Sequence, residues 1–209
     1  MRIGVSQRVE VIDRYGERRD CLDQAWFRLL ESLGLVPVPL PNSLEHPSAY
    51  LADLGLDGFI LSGGNDLAHL PNVSRSAPER DRTEAAVLEF SRAQNLPVLG
   101  VCRGMQMMNH FLGGRLQPVQ GHVATRHVVV PEGGDPLFEA YREVNSFHDW
   151  AVPSDGLGQE LKARARADDG TVEAAVHTSL PWLAIMWHPE RETPFLDADT
   201  QLISQLFWN

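Results

Sequence analysis

Cysteine and lysine are scarce in this sequence. Its 209 residues include two cysteines, Cys21 and Cys102, and one lysine, Lys162. Two thiols can build neither a disulfide framework nor a four-thiolate zinc site. So few cysteines are typical of a protein from a reducing compartment. Neither Gly-Lys-Ser nor Gly-Lys-Thr occurs, so a phosphate-binding P-loop is excluded. We therefore expect a cytoplasmic protein that is not a P-loop ATP user.

Long apolar runs and an excess of positive charge are also missing. No apolar run approaches the roughly 20 residues that cross a bilayer, and the segment from Met1 to Ser6 lacks the apolar core of a signal peptide. The formal net charge is −10, whereas a nucleic-acid backbone or an anionic membrane favours a basic protein face. We therefore expect no nucleic-acid partner and no membrane partner.

The common sequence patterns of metal ligands are absent as well. The chain contains no His-Glu-x-x-His, and its eight histidines are scattered without metal-ligand spacing. The sequence therefore predicts neither a zinc hydrolase nor a bound metal.

What remains is the composition of an ordinary globular domain. Hydrophobic residues make up 43% of the chain and charged residues 22%. A chain of this length is long enough for one α/β domain and short for two. We expect a single domain over residues 1–209.

The first half of the chain alternates between strand and helix patterns. The predicted elements are a strand over 2–6, a helix capped by Asp20 that includes Cys21 and apolar positions up to Leu33, a strand over 35–40, a short helix over 43–54 and a strand over 58–62. This order predicts a parallel sheet with helices on both faces, whose ligands bind at the carboxyl ends of the strands.

The second half has a different texture. A helix is predicted over 78–94, and its early charged residues Arg80, Asp81 and Glu84 are interpreted as a solvated first turn that matches the helix dipole. Short apolar stretches separated by Pro, Gly and Asp predict further strands, partly antiparallel, before a terminal helix. These stretches lie at 127–130, 171–176 and 182–187, and the helix at 197–207.

The strongest functional signal is the segment from Pro97 to Gln106. An apolar strand pattern ends in Gly100-Val-Cys102-Arg-Gly104 and continues as a helical pattern, so Cys102 falls on the turn between strand and helix. This is the arrangement of a nucleophile elbow with sulfur in place of the serine oxygen. Free N–H groups and the positive end of the helix dipole favour a thiolate at that position. Taken alone, the pattern also fits a small buried core residue.

Two other segments suit a nucleophilic cysteine. The predicted strand over 58–62 runs into Ser62-Gly63-Gly64, which is either a simple turn or a catalytic loop at the sheet edge. His188 and Glu190 follow an apolar strand pattern, with Pro189 between them. In an extended segment their side chains point the same way, so Glu190 can orient an imidazole that exchanges protons with the thiol.

Together these segments resemble the class I glutamine amidotransferase-like superfamily. Its three motifs look like Leu99 to Gln106, Leu61 to Gly64 and His188 to Glu190, in the family's order. The peptidase C26 branch, which includes gamma-glutamyl-gamma-aminobutyrate hydrolases, is resembled at further positions: Arg103 in the elbow, Asn109, Gly113-Gly114-Arg115-Leu116 and Val144 to His148. The resemblance implies an α/β fold, a flavodoxin-like three-layer sandwich with a mostly parallel central sheet, helices on both faces and extra, partly antiparallel strands.

The resemblance also implies a role for each matching residue. Cys102 would be the nucleophile, His188 the general base and acid, and Glu190 its orienting partner. The backbone N–H groups of Gly64 and Arg103 would form the oxyanion hole. The substrate-binding positions would be Gly63, Gln106, Asn145, Ser146, Phe147, His148 and Trp150. Related hydrolases often carry His-Gln where this chain has Asp149-Trp150, which leaves the leaving group open.

The implied reaction is hydrolysis of the amide bond of a small gamma-glutamyl amine or amidate. Glutamate would be released through a thioester on Cys102, with no metal or organic cofactor, and a homodimer is left open. Two alternatives remain: a glutaminase subunit that delivers ammonia to a separate synthetase, and a redox sensor in which Cys102 is oxidised. The Arg103 elbow and the lack of a synthetase domain favour the hydrolase, while His188 and Glu190 argue against the sensor.

Overall fold

The computed structural model describes residues 1–208, in which helices and parallel strands alternate before a strand-rich second half. The first part contains β1 (Arg2–Ser6), β2 (Arg8–Ile12), β3 (Glu17–Cys21), α1 (Gln24–Ser32), β4 (Val36–Leu40), α2 (Pro47–Leu54), β5 (Gly58–Leu61), α3 (Pro78–Gln94), β6 (Val98–Val101) and α4 (Arg103–Phe111). The second contains β7 (Gln117–Pro118), β8 (Val123–Pro131), α5 (Pro136–Glu139), β9 (Glu143–Phe147), β10 (Trp150–Ala151), β11 (Leu161–Ala167), β12 (Val172–His177), β13 (Trp182–Ile185), a 3₁₀ turn (Pro189–Arg191) and α6 (Asp197–Trp208).

Nine strands form one sheet with the order β4-β1-β5-β6-β13-β12-β11-β8-β9. The pairs from β4 to β13 are parallel, and those from β13 to β9 are antiparallel. The carboxyl ends of β5, β6 and β13 therefore meet at one edge of the sheet. The predicted parallel sheet with additional antiparallel strands is confirmed.

Apolar side chains of the central strands alternate between two cores. Ile60 and Leu99 pack with residues of α1 and α6, whereas Phe59 and Val98 pack with residues of α2, α3 and α4. Because successive side chains of a strand point to opposite faces, each buried strand contributes to both cores. The predicted three layers follow from this alternation.

The segment before α1 differs from the sequence prediction. We expected a polar turn followed by a helix that includes Cys21, but β2 and β3 pair as an antiparallel hairpin and Cys21 ends β3. The helix is capped by Asp23, which accepts a hydrogen bond from the N–H of Ala25 at 2.9 Å. The hairpin was missed because the sequence of β3 is polar and mostly exposed, so it lacks an apolar alternation. Similarly, α2 begins at Pro47 rather than near residue 43.

Sequence patterns also missed several strands of the second half. β11 alternates between buried and more exposed positions, but three of its four buried residues are alanines. Alanine is depleted in strands, so the alternation carries little signal. Across residues 1–208, no helix is both long and apolar enough to cross a membrane.

A buried acid anchors α6 against the sheet. Asp199 accepts hydrogen bonds through Oδ1 from the Tyr141 hydroxyl at 2.8 Å and the Trp187 indole at 2.9 Å. Burial raises the pKa of Asp199 to about 6, although the two hydrogen bonds oppose the shift, and Glu192 and Glu190 raise it further. Ionised Asp199 is therefore a destabilising group.

We predict that Asp199→Asn changes the pH dependence of stability. Because the pKa of Asp199 is higher in the folded state than in the unfolded state, uptake of a proton by this carboxyl group favours folding. This contribution is fully present below pH 3.8, the pKa of the unfolded state, and is lost as the pH rises through about 6. An asparagine oxygen still accepts both hydrogen bonds without acquiring charge. The unfolding free energy of the variant should rise relative to wild type by about 1–3 kcal/mol between pH 4 and 7.5.

Urea unfolding at several pH values measures this difference. Asp197→Asn, which removes an exposed carboxylate from the same helix, is the matched control and should keep the wild-type pH dependence. A difference between Asp199→Asn and wild type that stays constant with pH would contradict the prediction.

Candidate active site

Cys102 occupies a strained turn between β6 and α4. Its φ is 54° and its ψ −107°, a region that non-glycine residues rarely adopt. Glycines on either side permit the turn. A Cβ on Gly100 would lie 2.8 Å from the carbonyl carbon of Gly104, and a Cβ on Gly104 would overlap the carbonyl oxygen of Leu61. The backbone N–H of Cys102 donates to the carbonyl of Ile185 at 2.8 Å, which fixes the elbow to β13.

His188 reaches the same edge of the sheet from β13. Because β13 pairs in parallel with β6, with Ile185 opposite Val101, the residues after both strands emerge together. The Nδ1 of His188 lies 2.7 Å from Oε1 of Glu190, and both side chains are buried. Pro189 begins a 3₁₀ turn, so the expectation of an extended segment is wrong, although the predicted contact is present.

The charges of Cys102 and His188 stabilise each other. Burial raises the pKa of the Cys102 thiol, but attraction to His188, a hydrogen bond with His188, attraction to His148 and the N–H of Arg103 together bring that pKa below its ordinary value. Burial lowers the pKa of His188, but Glu190 and Cys102 raise it to about 9. The arrangement therefore shifts the pair toward a thiolate beside an imidazolium, the reactive form of a cysteine nucleophile.

The Gly63-Gly64 segment lies against His188. A Cβ on Gly63 would lie 2.6 Å from Cε1 of His188, so only glycine fits there. Gly64 has a φ of +84°, which favours glycine as well. The structure thus brings the glycine pair, Cys102 and His188 together at the carboxyl ends of β5, β6 and β13.

A buried ion network supports this edge. Arg80 donates from Nε to Glu84 at 2.9 Å, from Nη1 to the carbonyls of Gly63 at 3.0 Å and Gly64 at 2.7 Å, and from Nη2 to the carbonyl of Ser62 at 2.6 Å. Arg103 pairs with the other carboxylate oxygen of Glu84. Burial raises the pKa of Glu84, but the two arginines and hydrogen bonds from Ser6 and Arg80 lower it below its ordinary value.

The interpretation of a solvated first turn is therefore wrong for two of its three residues. Arg80 and Glu84 are fully buried, while Asp81 pairs with Arg103 near the surface. A spacing of four residues between opposite charges is common on exposed helix faces. The sequence consequently gave no signal that this pair faces inward.

Several residues predicted to bind substrate make contacts within the protein. Asn145 donates from Nδ2 to the carbonyl of His188 at 2.9 Å and accepts at Oδ1 from the N–H of His188 at 2.8 Å. The Ser146 hydroxyl donates to the carbonyl of His122 at 2.7 Å. His148 contacts the carbonyl of Trp150 through Nδ1 at 3.0 Å. Asn145 thus fixes the backbone of His188, and substrate binding by these residues stays a prediction.

Other predicted residues lie closer to open space. The exposed Phe147 meets the His188 ring edge-on, with the ring centres 5.7 Å apart. Gln106 donates to the carbonyl of Trp150 at 2.9 Å. Trp150 and Asp66, which is two residues after Gly64, line a cavity of about 330 Å³ together with the segment 71–75. This cavity therefore lies between the segment 66–75, which follows the glycine loop, and the Trp150 segment.

Comparison with known proteins agrees with this geometry. The Peptidase C26 family model matches residues 3–190, which include Cys102, His188 and Glu190. The chain belongs to the peptidase C26 family. The family predicted from the sequence motifs is thereby confirmed.

Among curated relatives is the gamma-glutamyl-CDP-amidate hydrolase of Campylobacter jejuni. It is 36% identical over 195 residues, which cover 92% of this chain and 91% of that protein. The gamma-glutamyl-gamma-aminobutyrate hydrolase of Escherichia coli is 28% identical over 206 residues, with 84% and 80% covered. Both are named as hydrolases of gamma-glutamyl amides.

A solved structure supports the fold. The glutamine amidotransferase from Thermotoga maritima matches with a TM-score of 0.66 and 15% identity, covering 98% of this chain and 82% of that one. At this identity, the likeness bears on the fold of this C26 protein alone, and it confirms the predicted fold class.

We predict that Arg80→Lys impairs turnover of a gamma-glutamyl amide more than substrate binding. A lysine ammonium cannot replace the five donors of the guanidinium, so the Gly63-Gly64 loop loses its fixed orientation. We expect kcat to fall roughly tenfold or more, since 1.4 kcal/mol of lost orientation is tenfold in rate, while KM changes less.

Steady-state kinetics and thermal unfolding separate this effect from general instability. The control is Arg18→Lys, which alters a partly exposed pair with Glu79 at the start of α3 and should change stability by under about 1 kcal/mol. The prediction is wrong if Arg80→Lys lowers the melting temperature but keeps wild-type kcat.

Proposed function

We propose that this C26 protein hydrolyses the amide bond of a small gamma-glutamyl amine or amidate, with Cys102, His188 and Glu190 as a catalytic triad. The observation that carries the proposal is that these three side chains are buried and contact one another in the order Cys102, His188, Glu190. His188 faces the Glu190 carboxylate through Nδ1, which leaves Nε2 for the thiol of Cys102. The two hydrolases named above supply the substrate class.

The reaction has two halves. The Cys102 thiolate attacks the γ-carbonyl carbon, forming a C–S bond and a tetrahedral oxyanion. As the C–N bond breaks, His188 gives its proton to the leaving nitrogen, and a gamma-glutamyl thioester remains. His188 then takes a proton from water, whose oxygen attacks the thioester. The C–S bond breaks, glutamate leaves and the thiolate is restored.

We assign the oxyanion hole to the backbone N–H groups of Gly64 and Arg103. Arg103 opens α4, so its N–H is free of helical hydrogen bonding and already acts on the Cys102 sulfur. Gly64 lies on the other side, in the loop that Arg80 holds through its carbonyls. A well-placed donor of this kind contributes about 3 kcal/mol to transition-state stabilisation.

We place the leaving group in the cavity that Trp150 lines. The exposed Arg75 belongs to the same lining and supplies a positive charge. The leaving groups that follow from the names of the two relatives, gamma-aminobutyrate and the CDP-amidate, carry a carboxylate and phosphates respectively. A pocket that combines an aromatic ring with an arginine suits such a group.

We predict that Cys102→Ala abolishes turnover, by roughly 10³-fold or more, because no other group can form the acyl intermediate. Melting should change little, since the substitution removes one sulfur atom. A glutamine analogue with a chloroketone in place of its amide should alkylate wild type once, at Cys102. Mass spectrometry should find this adduct in the control Cys21→Ala and not in Cys102→Ala. Retention of one tenth of the activity by Cys102→Ala would refute the assignment.

We predict that N-substituted gamma-glutamyl amides are better substrates than glutamine. Each buried methylene of the leaving group is worth about 0.8 kcal/mol, so an aminobutyrate or nucleotide leaving group should raise kcat/KM at least about tenfold above ammonia. Glutamate release is measured for glutamine, gamma-glutamyl-gamma-aminobutyrate and gamma-glutamyl-CDP-amidate, with the purified chain alone. Trp150→Ala should lower the values for the two larger substrates and leave that for glutamine nearly unchanged.

Two results would overturn this function. If glutamine were the best substrate, or if activity required a second protein, the chain would be a glutaminase subunit of an amidotransferase. If no substrate released glutamate while Cys102 was oxidised reversibly, the chain would be a redox sensor.

A further inference from the structure

Three histidines and one glutamate converge near the candidate active site. His122 precedes β8, His127 lies within it, His148 follows β9 and Glu173 lies in β12. One ligand atom from each lies within 4.8 Å of the others. These three histidines are scattered in the sequence, but the structure brings them together. Antiparallel pairing of β8 and β9 places residue 122 opposite residue 148, a proximity that sequence spacing does not encode.

Glu173 is buried without a hydrogen-bond partner. Its side chain is 1% exposed, and neither carboxylate oxygen makes a hydrogen bond within residues 1–208. The same holds, in the part of the chain that the structure describes, for Nε2 of His127. A buried carboxylate without partners is strongly destabilising, so this centre calls for a cation.

The shortest distances between the four groups approach those of tetrahedral coordination. Oε1 of Glu173 lies 3.6 Å from Nε2 of His148 and 3.9 Å from Nδ1 of His122, and Oε2 lies 3.7 Å from Nε2 of His127. The facing nitrogens of His122 and His148 are 3.4 Å apart. Ligands on a tetrahedral zinc ion, with bonds of about 2.0–2.1 Å, lie about 3.3 Å from one another. The carboxylate distances exceed those of hydrogen bonds and approach this value.

The outer nitrogen of each histidine faces an oxygen. Nε2 of His122 lies 3.1 Å from Oδ2 of Asp169, Nδ1 of His148 lies 3.0 Å from the Trp150 carbonyl, and Nδ1 of His127 lies 3.3 Å from the Val128 carbonyl. Because each of these oxygens is an acceptor, we assign the proton of the neutral imidazole to the outer nitrogen, which leaves the inner nitrogen with its lone pair directed at the centre. Metal-ligating histidines are held in this way by carboxylates and backbone carbonyls.

We propose that His122, His127, His148 and Glu173 form a binding site for one Zn²⁺ ion. Three imidazoles and a carboxylate form a ligand set that zinc accepts. Because the protein supplies all four ligands, the site is structural: the ion joins β8 and β12 to the segment after β9 and leaves no position for a catalytic water. The argument for this site does not rest on the proposed function at Cys102.

Zinc binding is tested on the full chain by stripping metal with a chelator and titrating Zn²⁺ alone. Elemental analysis should find one zinc per chain after gel filtration, and thermal unfolding should shift upward with added zinc. Substitution with Co²⁺ should produce the intense visible absorption of a tetrahedral site. A wild-type chain that retains no stoichiometric zinc and shows no thermal shift overturns the proposal.

Variants distinguish this site from zinc bound elsewhere. Glu173→Gln and the less buried His127→Gln should each lose stoichiometric zinc, so that one variant remains informative if the other fails to fold. Asp169→Asn removes the carboxylate oxygen that faces His122, while an amide oxygen at Oδ1 can still accept from the N–H and hydroxyl of Thr171; this variant should weaken affinity about 10–100-fold.

Two controls should keep one zinc per chain. His177→Gln removes another buried histidine of β12, which pairs with Glu160 at 2.8 Å. Cys102→Ala removes the thiolate that could itself bind zinc. Zinc that is lost in Cys102→Ala, or kept in both Glu173→Gln and His127→Gln, would show that the cluster is not the site.

Discussion

The buried carboxylate of Glu84 links the parts of the candidate active site. It lies between the Arg80 and Arg103 guanidinium groups and also accepts from the Ser6 hydroxyl at 2.7 Å. Removing one partner of a buried ion pair leaves an uncompensated charge and costs about 3–5 kcal/mol. Four elements are therefore fixed together: β1 through Ser6, the glycine loop through Arg80, α3 itself, and the elbow through Arg103.

The parallel and antiparallel halves of the sheet contribute differently to the candidate active site. The parallel strands β5, β6 and β13 end at one edge, and each is followed by one part of the candidate active site: the glycine pair, Cys102 or His188. The antiparallel strands add support from the side, since Asn145 of β9 binds both backbone polar groups of His188. The candidate catalytic residues thus emerge from the parallel half, while a neighbouring strand fixes the backbone of His188 in place.

Sequence reasoning succeeded where a signal is local. The elbow is encoded by Gly100 and Gly104 around Cys102, and His188 and Glu190 are two residues apart, so their contact needs no knowledge of the fold. It failed where the partner is distant in sequence. Whether Glu84 faces solvent or the core depends on Arg103, 19 residues away, and polar strands such as β3 take their structure from pairing rather than from apolar periodicity.

The backbone carbonyl of Trp150 joins two regions that are separate in sequence. It accepts from Nε2 of Gln106, in the helix that Cys102 begins, and faces Nδ1 of His148, whose other nitrogen points to Glu173. A shift of His148 would therefore either break its own contact with this carbonyl or carry the carbonyl along and strain the hydrogen bond from Gln106. Since Trp150 also lines the cavity beside the segment 66–75, its carbonyl connects the histidine cluster to both the wall of that cavity and the helix that begins after Cys102.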